Sequence, residues 1–325
     1  MARRYTATSE LRDGAEVFTL ADAGAAAAEI APSLGNNCFS FRTDSPVLEE
    51  VSFADFLRRP TSYGVPVLFP FPNRIHDGRF TFGGESFKVD PPRHGFVRDK
   101  PWRAVSHGAS DDAGAWLTSC FDASDYPEQI LGQFPFPFRV EITYRLREAR
   151  LTLVAVARNN GQRRMPAGFG IHPYFRKPDD GRLRVPAAAR WELSDSLPTG
   201  RIVSAEGVYD LREGKGLAGM GLDDIFTRVE ADADGLARCA ITDDGAGTET
   251  VVEFSPGRLP HVVVYTPPEP RRAVCVEPNS CPTDAFNLQQ RGVESNVILL
   301  GAGQTASFNR SIYARRAGSP VRTAE

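Results

Sequence analysis

Residues 139–146 have the sequence Arg-Val-Glu-Ile-Thr-Tyr-Arg-Leu, in which polar and apolar side chains alternate without a break. Successive side chains of a β-strand point to opposite faces, so this pattern predicts a strand with one face in the core and one in water. Residues 151–157 are more apolar and follow after the short polar stretch 147–150. The two segments therefore predict an antiparallel hairpin.

The same period of two recurs along the chain. A second hairpin is predicted over 79–89, where Gly83-Gly84 supplies the positive φ angles of a tight primed turn. Further short strands are predicted at 103–105, 115–121, 251–254, 261–266, 273–276 and 307–313. The chain is therefore expected to be all-β and mainly antiparallel.

Glycine and proline, at 29 and 25 residues, leave little room for long helices. Helical turns are predicted only at 49–59 and 126–131, and the alanine-rich stretch 25–30 suits either a helix or a strand. No change of composition marks a linker and no period of 20 to 50 residues repeats. One large β-sandwich domain over 1–325 is the simplest expectation, with a frayed polar tail at 314–325.

Composition restricts the function. The chain has 325 residues, 41% of them hydrophobic, and a net charge of −3 without a basic run, which argues against nucleic acid as a partner. The absence of an apolar run of about 18 residues, and of an apolar stretch behind the N-terminal arginines, predicts a cytoplasmic protein that does not enter membranes. The five cysteines are scattered, which predicts reduced thiols rather than disulfides or a zinc ribbon.

Three residues lie in unusual local sequence. His94 follows a proline-rich approach and precedes a glycine, while His172 is framed by a glycine and a proline. Glu277 follows the apolar strand 273–276, where a carboxylate is costly unless it is paired or functional. Each of the three also has a structural interpretation: a histidine in such a loop is commonly a turn residue, and Glu277 would accept hydrogen bonds from backbone amides. Arg74, in the stretch 71–75, would likewise form a surface ion pair.

Five short motifs follow one another along the chain: 66–84, with Asn73-Arg74-Ile75 and Gly83-Gly84; His94-Gly95-Phe96; His172-Pro173-Tyr174-Phe175; Leu222-Asp223-Asp224-Ile225-Phe226; and Val276-Glu277-Pro278 with 282–287. In this order, and with these separations, they resemble the signature of the aldose 1-epimerases, the galactose mutarotase-like family. The resemblance extends over roughly residues 30–313.

The resemblance implies a large twisted β-sandwich, or supersandwich, that holds a sugar in a groove on one sheet. It implies that Glu277 is the general base and His172 the general acid. The sugar ligands that it implies are His94, Arg74 and Asp223, with Asn73 as a weaker candidate. Asp223 is preferred to Asp224 because it directly follows the leucine of the motif, and Tyr174 is assigned a structural role.

The implied reaction, mutarotation, opens a hemiacetal ring. The anomeric hydroxyl loses a proton while the ring oxygen gains one, so a carboxylate and an imidazolium suit the two steps. No metal, nucleotide or redox cofactor is needed, and the only partner expected is a small sugar. The sequence leaves the choice between a monomer and a homodimer open.

The sequence leaves alternatives open for the substrate and for the class of protein. The stretch 94–98, followed by Pro101-Trp102, is similar to the subgroup acting on hexose 6-phosphates, whereas 73–75 is more similar to the free-sugar subgroup. Arg98 and Arg93 would either hold a phosphate in bidentate fashion or remain solvated loop charges. A non-catalytic carbohydrate-binding protein on the same fold stays open.

Two further enzyme classes are less favoured. A glycosidase would use two carboxylates, for which Glu277 and Asp223 are available. A metal-assisted enzyme is poorly supported, because His94 and His172 are far apart in sequence and neither has a metal-ligating partner at short range.

Overall fold

The structure is a computed structural model that describes residues 4–319. Its helices are α1 Phe53–Arg58 and α2 Ala285–Gln290. Its strands are β1 Tyr5–Arg12, β2 Ala15–Asp22, β3 Ala26–Ala31, β4 Asn37–Arg42, β5 Val67–Leu68, β6 Arg79–Phe82, β7 Glu85–Lys88, β8 Arg103–Ser110, β9 Gly114–Asp122, β10 Phe138–Arg147, β11 Arg150–Asn159, β12 Met165–Ala167, β13 Gly170–Ile171, β14 Tyr174–Arg176, β15 Gly181–Arg184, β16 Ala187–Ser194, β17 Leu197–Ser204, β18 Lys215–Gly216, β19 Asp223–Val229, β20 Ala237–Asp243, β21 Thr248–Phe254, β22 His261–Tyr265, β23 Ala273–Asn279, β24 Ile298–Leu300 and β25 Thr305–Arg316.

The hairpin predicted over 139–157 is formed by β10 and β11, with Tyr144 opposite Leu153. Glu148 and Ala149 make its turn, and both have positive φ angles, as a two-residue primed turn requires. The apolar set predicted to face inward is buried and consists of Val140, Ile142, Tyr144 and Leu146. The strand prediction, including its buried face, is confirmed.

Two large antiparallel sheets form the body of the fold. One has the order β18-β15-β20-β21-β25-β11-β10-β9-β8, and the other has β17-β16-β19-β22-β23-β13-β5 with β14 also paired to β23. A third sheet contains β1 to β4 in sequence order. Val140 on the first sheet and Val276 on the second belong to one hydrophobic core. The predicted antiparallel β-sandwich is confirmed.

Most of the other predicted elements are also present. The 79–89 hairpin is formed by β6 and β7, with Gly83 and Gly84 at positive φ, and the alanine-rich stretch is strand β3. The helix predicted over 49–59 begins later, because the Ser52 hydroxyl caps it by accepting from the Asp55 N–H. The helical turn at 126–131 is a short π-helix, Pro127–Leu131. Helix α2 and fourteen of the strands have no counterpart among the predictions: β1, β2, β4, β5, β12 to β20 and β24.

The C-terminal prediction needs a correction. Strand β25 continues through Ala314 to Arg316, which pairs with Thr248, so the tail cannot begin to fray at 314. Residues 320–325 of the predicted tail lie outside the described residues. The single domain stays a prediction, which the shared core favours. All five cysteines are buried and unpaired, and no helix within residues 4–319 is long and apolar enough to span a membrane.

Candidate active site

The fold brings His172 opposite Glu277. His172 lies between β13 and β14, and both of these short strands pair with β23, which carries Glu277. Gly170 faces Asn279, and the register continues unshifted into β14, so His172 falls opposite Glu277. A Cβ atom at position 170 would lie 1.8 Å from Asn279 Oδ1, so this close approach requires glycine.

The two side chains are in contact. His172 Nε2 lies 3.1 Å from Glu277 Oε1, although the pair does not have the geometry of a hydrogen bond. Glu277 Oε1 is buried and has no hydrogen-bond partner among the described residues. The backbone N–H of His172 donates to Pro66 O at 2.9 Å, which fixes the turn. A proton donor and a proton acceptor thus face one another and are available to a third group.

Two loops place His94 and Arg74 beside this pair. The His94 N–H donates to Asn73 O at 2.5 Å, and both residues have φ angles in the left-handed region. Gly95 is needed at the crossing, since a Cβ there would lie 1.9 Å from Phe69 O. The His94 ring lies 5.4 Å from the His172 ring, edge to face. The predicted ligand His94 and the predicted acid His172 are therefore neighbours.

The 282–287 motif forms hydrogen bonds with the loop that carries Arg74. Asp284 accepts from the His76 N–H through Oδ1 at 2.9 Å and donates its own N–H to Arg74 O at 2.8 Å. Asn287 Nδ2 donates to Asp284 Oδ1 at 2.7 Å and to Arg79 O at 2.8 Å. The motif therefore positions the Arg74 loop.

Asp223 and Asp224 separate as the strand alternation requires. Asp223 Oδ2 lies 3.8 Å from Arg74 Nη2, whereas Asp224 Oδ1 lies 3.7 Å from Arg190 on the neighbouring strand. Arg74 also donates through Nε to Asn73 Oδ1 at 3.2 Å. Asp223 is therefore the aspartate that lies beside Arg74, and Asn73 contacts the same guanidinium.

The site deepens from Asp223 to Glu277. The exposed fraction of the side chain falls from 47% at Asp223 to 22% at Arg74, 11% at His172 and 2% at Glu277. A molecule entering from solvent therefore meets the guanidinium and the aspartate before it reaches the histidine–glutamate pair.

Burial changes the charge of the pair. It raises the pKa of Glu277 well above its usual range, and the charge of Asp223 adds to the effect. It lowers the pKa of His172 to about 3, and the positive charges of Arg98 and Arg271 act in the same direction. Desolvation also holds the pKa of His94 well below its usual range. Both members of the pair therefore favour their neutral forms, with one proton on the carboxyl.

Sequence reasoning missed two side chains of the site and underestimated a third. Tyr174 was given a structural role, but its ring stacks on that of His172 at 4.7 Å and the Arg271 guanidinium lies over it at 4.6 Å. Arg271 is held in turn by Glu49. Tyr265 is the cross-strand neighbour of Asp223, and its ring lies 6.0 Å from that of His172. Only the strand register could have indicated Tyr265, and Arg271 lies in the loop before β23, where no motif marks it.

Arg98 is half-buried beside the site and forms no ion pair among residues 4–319. Its charge acts on both His94 and His172, and burial lowers its own pKa. Arg93, by contrast, is exposed and aligned with Arg74 in a backbone bridge. Arg98 is therefore a partly buried charge near His94 and His172 and not a fully solvated loop charge.

A cavity of about 740 Å³ lies elsewhere, around Arg176 and Asp243. It contains none of the predicted site residues, and two of its arginines are already paired, Arg176 with Asp243 at 2.5 Å and Arg315 with Glu249 at 2.6 Å. This cavity is therefore separate from the histidine–glutamate pair.

Known structures identify the class of fold. A galactose mutarotase-like protein from Clostridium acetobutylicum superposes with a TM-score of 0.86 at 24% identity, over 95% of this chain and 98% of that one. Galactose 1-epimerase from Lactobacillus acidophilus NCFM gives 0.76 at 15% identity, over 97% and 99%. The fold is thus that of a galactose mutarotase-like β-sandwich, here with a buried histidine–glutamate pair on one sheet.

The family follows from the sequence match. The family model for aldose 1-epimerase matches residues 16–312, and this chain belongs to the aldose 1-epimerase family. Uncharacterized protein YihR of Escherichia coli strain K12 is 25% identical over 273 residues, which cover 79% of this chain and 81% of that protein. The family resemblance found in the motifs is confirmed.

Proposed function

We propose that the protein is an aldose 1-epimerase that interconverts the α and β anomers of a hexose. The observation that carries the proposal is the 3.1 Å approach of His172 Nε2 to Glu277 Oε1, two groups from different strands at the deep end of an open site. A protein that only binds sugar needs hydrogen-bonding groups but no contacting acid and base. This pair therefore favours catalysis over the non-catalytic alternative.

The reaction follows from the positions of the protons. Glu277 as carboxylate takes the proton of the anomeric hydroxyl, and that O–H electron pair forms the carbonyl. The bond between C1 and the ring oxygen breaks, and the ring oxygen takes a proton from His172. Rotation about C1–C2 and reversal of the steps close the ring on the other face, so the protein ends as it began.

The neutral pair contains the proton that this reaction needs. Burial favours a protonated Glu277 beside a neutral His172. The carboxylate and imidazolium that the reaction uses differ from this neutral pair by the position of one proton, which moves from Glu277 to His172. We assign Glu277 as the base and His172 as the acid, as the family resemblance implies.

The shallower groups orient the sugar. Arg74 offers a planar fork of N–H donors, and Asp223 accepts from hydroxyls on the same side. His94 Nδ1 is buried and has no hydrogen-bond partner among the described residues, so it is available to a sugar hydroxyl. Together they would hold the pyranose with its anomeric carbon toward the pair.

Polarimetry on freshly dissolved α-glucose, α-galactose and their 6-phosphates tests the proposal directly. The expected result is exchange faster than in buffer, proportional to the concentration of protein. No acceleration of any sugar in the panel would leave a binding protein as the better account.

A hexose 6-phosphate is the second candidate substrate, and the position of Arg98 favours it. A half-buried guanidinium without an ion pair would gain most from a phosphate, which accepts two parallel N–H bonds. The same panel separates the two candidates, since preference for the phosphorylated sugars is expected only if Arg98 contacts the phosphate.

A further inference from the structure

A third potential ligand lies beside the histidine–glutamate pair. Cys275 is two residues before Glu277 on β23, so both side chains point to the same face of the strand. Cys275 packs with Tyr174, Ala273 and Tyr265 and is fully buried. One ligand atom each from His172, Cys275 and Glu277 lie within 4.8 Å of one another.

These three donors suit a soft divalent cation. Tetrahedral zinc binds sulfur at about 2.3 Å, and nitrogen or oxygen at about 2.0–2.2 Å. His172 Nε2 and Glu277 Oε1 are 3.1 Å apart, and the Cys275 sulfur lies within 4.8 Å of a ligand atom of each, so the three groups would draw closer around an ion. Cysteine, histidine and glutamate together disfavour magnesium and calcium, which prefer oxygen ligands. A catalytic-type site has three protein ligands and one open position, which faces the sugar groove here.

We infer that His172, Cys275 and Glu277 bind Zn²⁺, and that the ion inhibits the protein by occupying its acid and its base. Binding would displace two protons to solvent, one from the Cys275 thiol and one from the Glu277 carboxyl, because both groups bind a metal in their deprotonated forms. The ion would occupy the space of the anomeric oxygen, so metal and sugar would compete. The metal site itself does not depend on the proposed function, and only the inhibition rests on it.

Co²⁺ reports the site without any activity assay, because a cysteine thiolate on cobalt gives a charge-transfer absorption band in the near ultraviolet. We expect the band in the wild-type protein and its displacement by Zn²⁺. Cys275→Ala should remove the band and weaken Zn²⁺ binding more than about a hundredfold. The matched control is Cys239→Ala on β20, a buried thiol in the other large sheet, which should leave both unchanged.

The anomerisation assay then tests inhibition. Zn²⁺ at about ten times its Kd should reduce the wild-type rate to about one tenth, with recovery on adding a chelator. Cys275→Ala should keep its rate in Zn²⁺, and Cys275→Ser serves if the alanine variant does not fold. The proposed metal site is overturned if the cobalt band is absent in the wild-type protein. It is also overturned if the band survives in the folded Cys275 variants.

The remaining outcomes separate the two proposals. A rate that rises with Zn²⁺ overturns the inhibitory role. A cobalt band that depends on Cys275 in a protein that accelerates no sugar supports the metal site and contradicts the epimerase.

Discussion

Two buried histidines lie on neighbouring parts of the same sheet, and they differ in their partners. His261 on β22 accepts from Trp191 Nε1 through Nδ1 at 3.4 Å, and its Nε2 lies 3.0 Å from Asn296 Oδ1. His172 instead contacts Glu277, a titratable group, and its Nδ1 has no partner among the described residues. Burial lowers the pKa of both, to about 4 at His261 and about 3 at His172.

The comparison shows that burial and a shifted pKa do not by themselves mark a catalytic histidine. His261 is satisfied at both nitrogens by groups that do not titrate near neutral pH, so its arrangement is structural. His172 lies at the deep end of a groove with a carboxyl as its neighbour. The difference predicts opposite phenotypes: substitution at one position should remove activity, and at the other stability.

Glu277→Gln is expected to have the largest effect. The amide keeps the shape of the side chain but cannot accept a proton, so anomer exchange should slow about 10²–10⁴-fold, toward the upper end. The thermal unfolding midpoint should stay the same or rise, because the variant loses a buried ionisable group. Polarimetry and calorimetry on one preparation measure both. Unchanged exchange would remove Glu277 from the mechanism.

His172→Asn should slow exchange by a smaller factor within the same range of about 10²–10⁴. We expect the smaller factor because water can protonate the ring oxygen in place of the imidazole. The unfolding midpoint should change little, since Nδ1 loses no hydrogen bond. If His172→Asn lowered the unfolding midpoint but left the rate of anomer exchange unchanged, the role of His172 would be structural, like that of His261.

The lowered pKa of His261 should make the free energy of unfolding depend on pH. Its pKa is near 6.5 unfolded and about 4 folded, so the unfolded chain binds more protons between these values. Its contribution is therefore complete above about pH 6.5 and falls as the pH drops toward 4, by up to about 1.4 kcal/mol per unit. Urea unfolding of wild type and His261→Phe across pH 4–7 measures it. Equal slopes in the two proteins would mean that His261 titrates normally.

At neutral pH, His261→Phe should lower the free energy of unfolding by about 1–3 kcal/mol, because the buried Trp191 N–H loses its acceptor. Anomer exchange by the folded variant should equal that of wild type. This is the reverse of the His172→Asn result, and the two variants serve as controls for one another. Loss of rate at full stability in His261→Phe would contradict a structural role.

Strands with a strict period of two were predictable from the sequence. Residues 139–146 carry their buried face in their own pattern, and the Gly83-Gly84 turn carries its φ requirement. Helix α2 was not predictable in this way, since it follows Asp284 in a left-handed conformation without a side-chain cap. The strand at 314–316 has no apolar alternation and is fixed by pairing with Thr248 and its neighbours.

The candidate site was predictable only through the order of motifs. Nothing in the local sequence of His172 refers to Glu277; their contact arises because two short strands flank Pro173 and both pair with β23. Cys275 and Tyr265 face the site for the same reason and carry no local signal. A metal-binding set assembled from distant strands is invisible to rules based on short spacing.

A nearby charge, that of Arg98, is a further and smaller difference between His172 and His261. Its charge acts on His172, whereas the influences on His261 are burial and Asn296 alone. If Arg98 holds a phosphate, Arg98→Ala should raise the KM for a hexose 6-phosphate more than about tenfold beyond that for the free hexose, because its charge-assisted hydrogen bonds to the phosphate are lost. Arg93→Ala, on the exposed part of the same loop, is the matched control and should have a smaller effect. Equal changes in KM for both sugars would favour a free hexose as the substrate. The pH dependence of the free energy of unfolding, to which His261 contributes, should be the same in wild type, Arg98→Ala and Arg93→Ala.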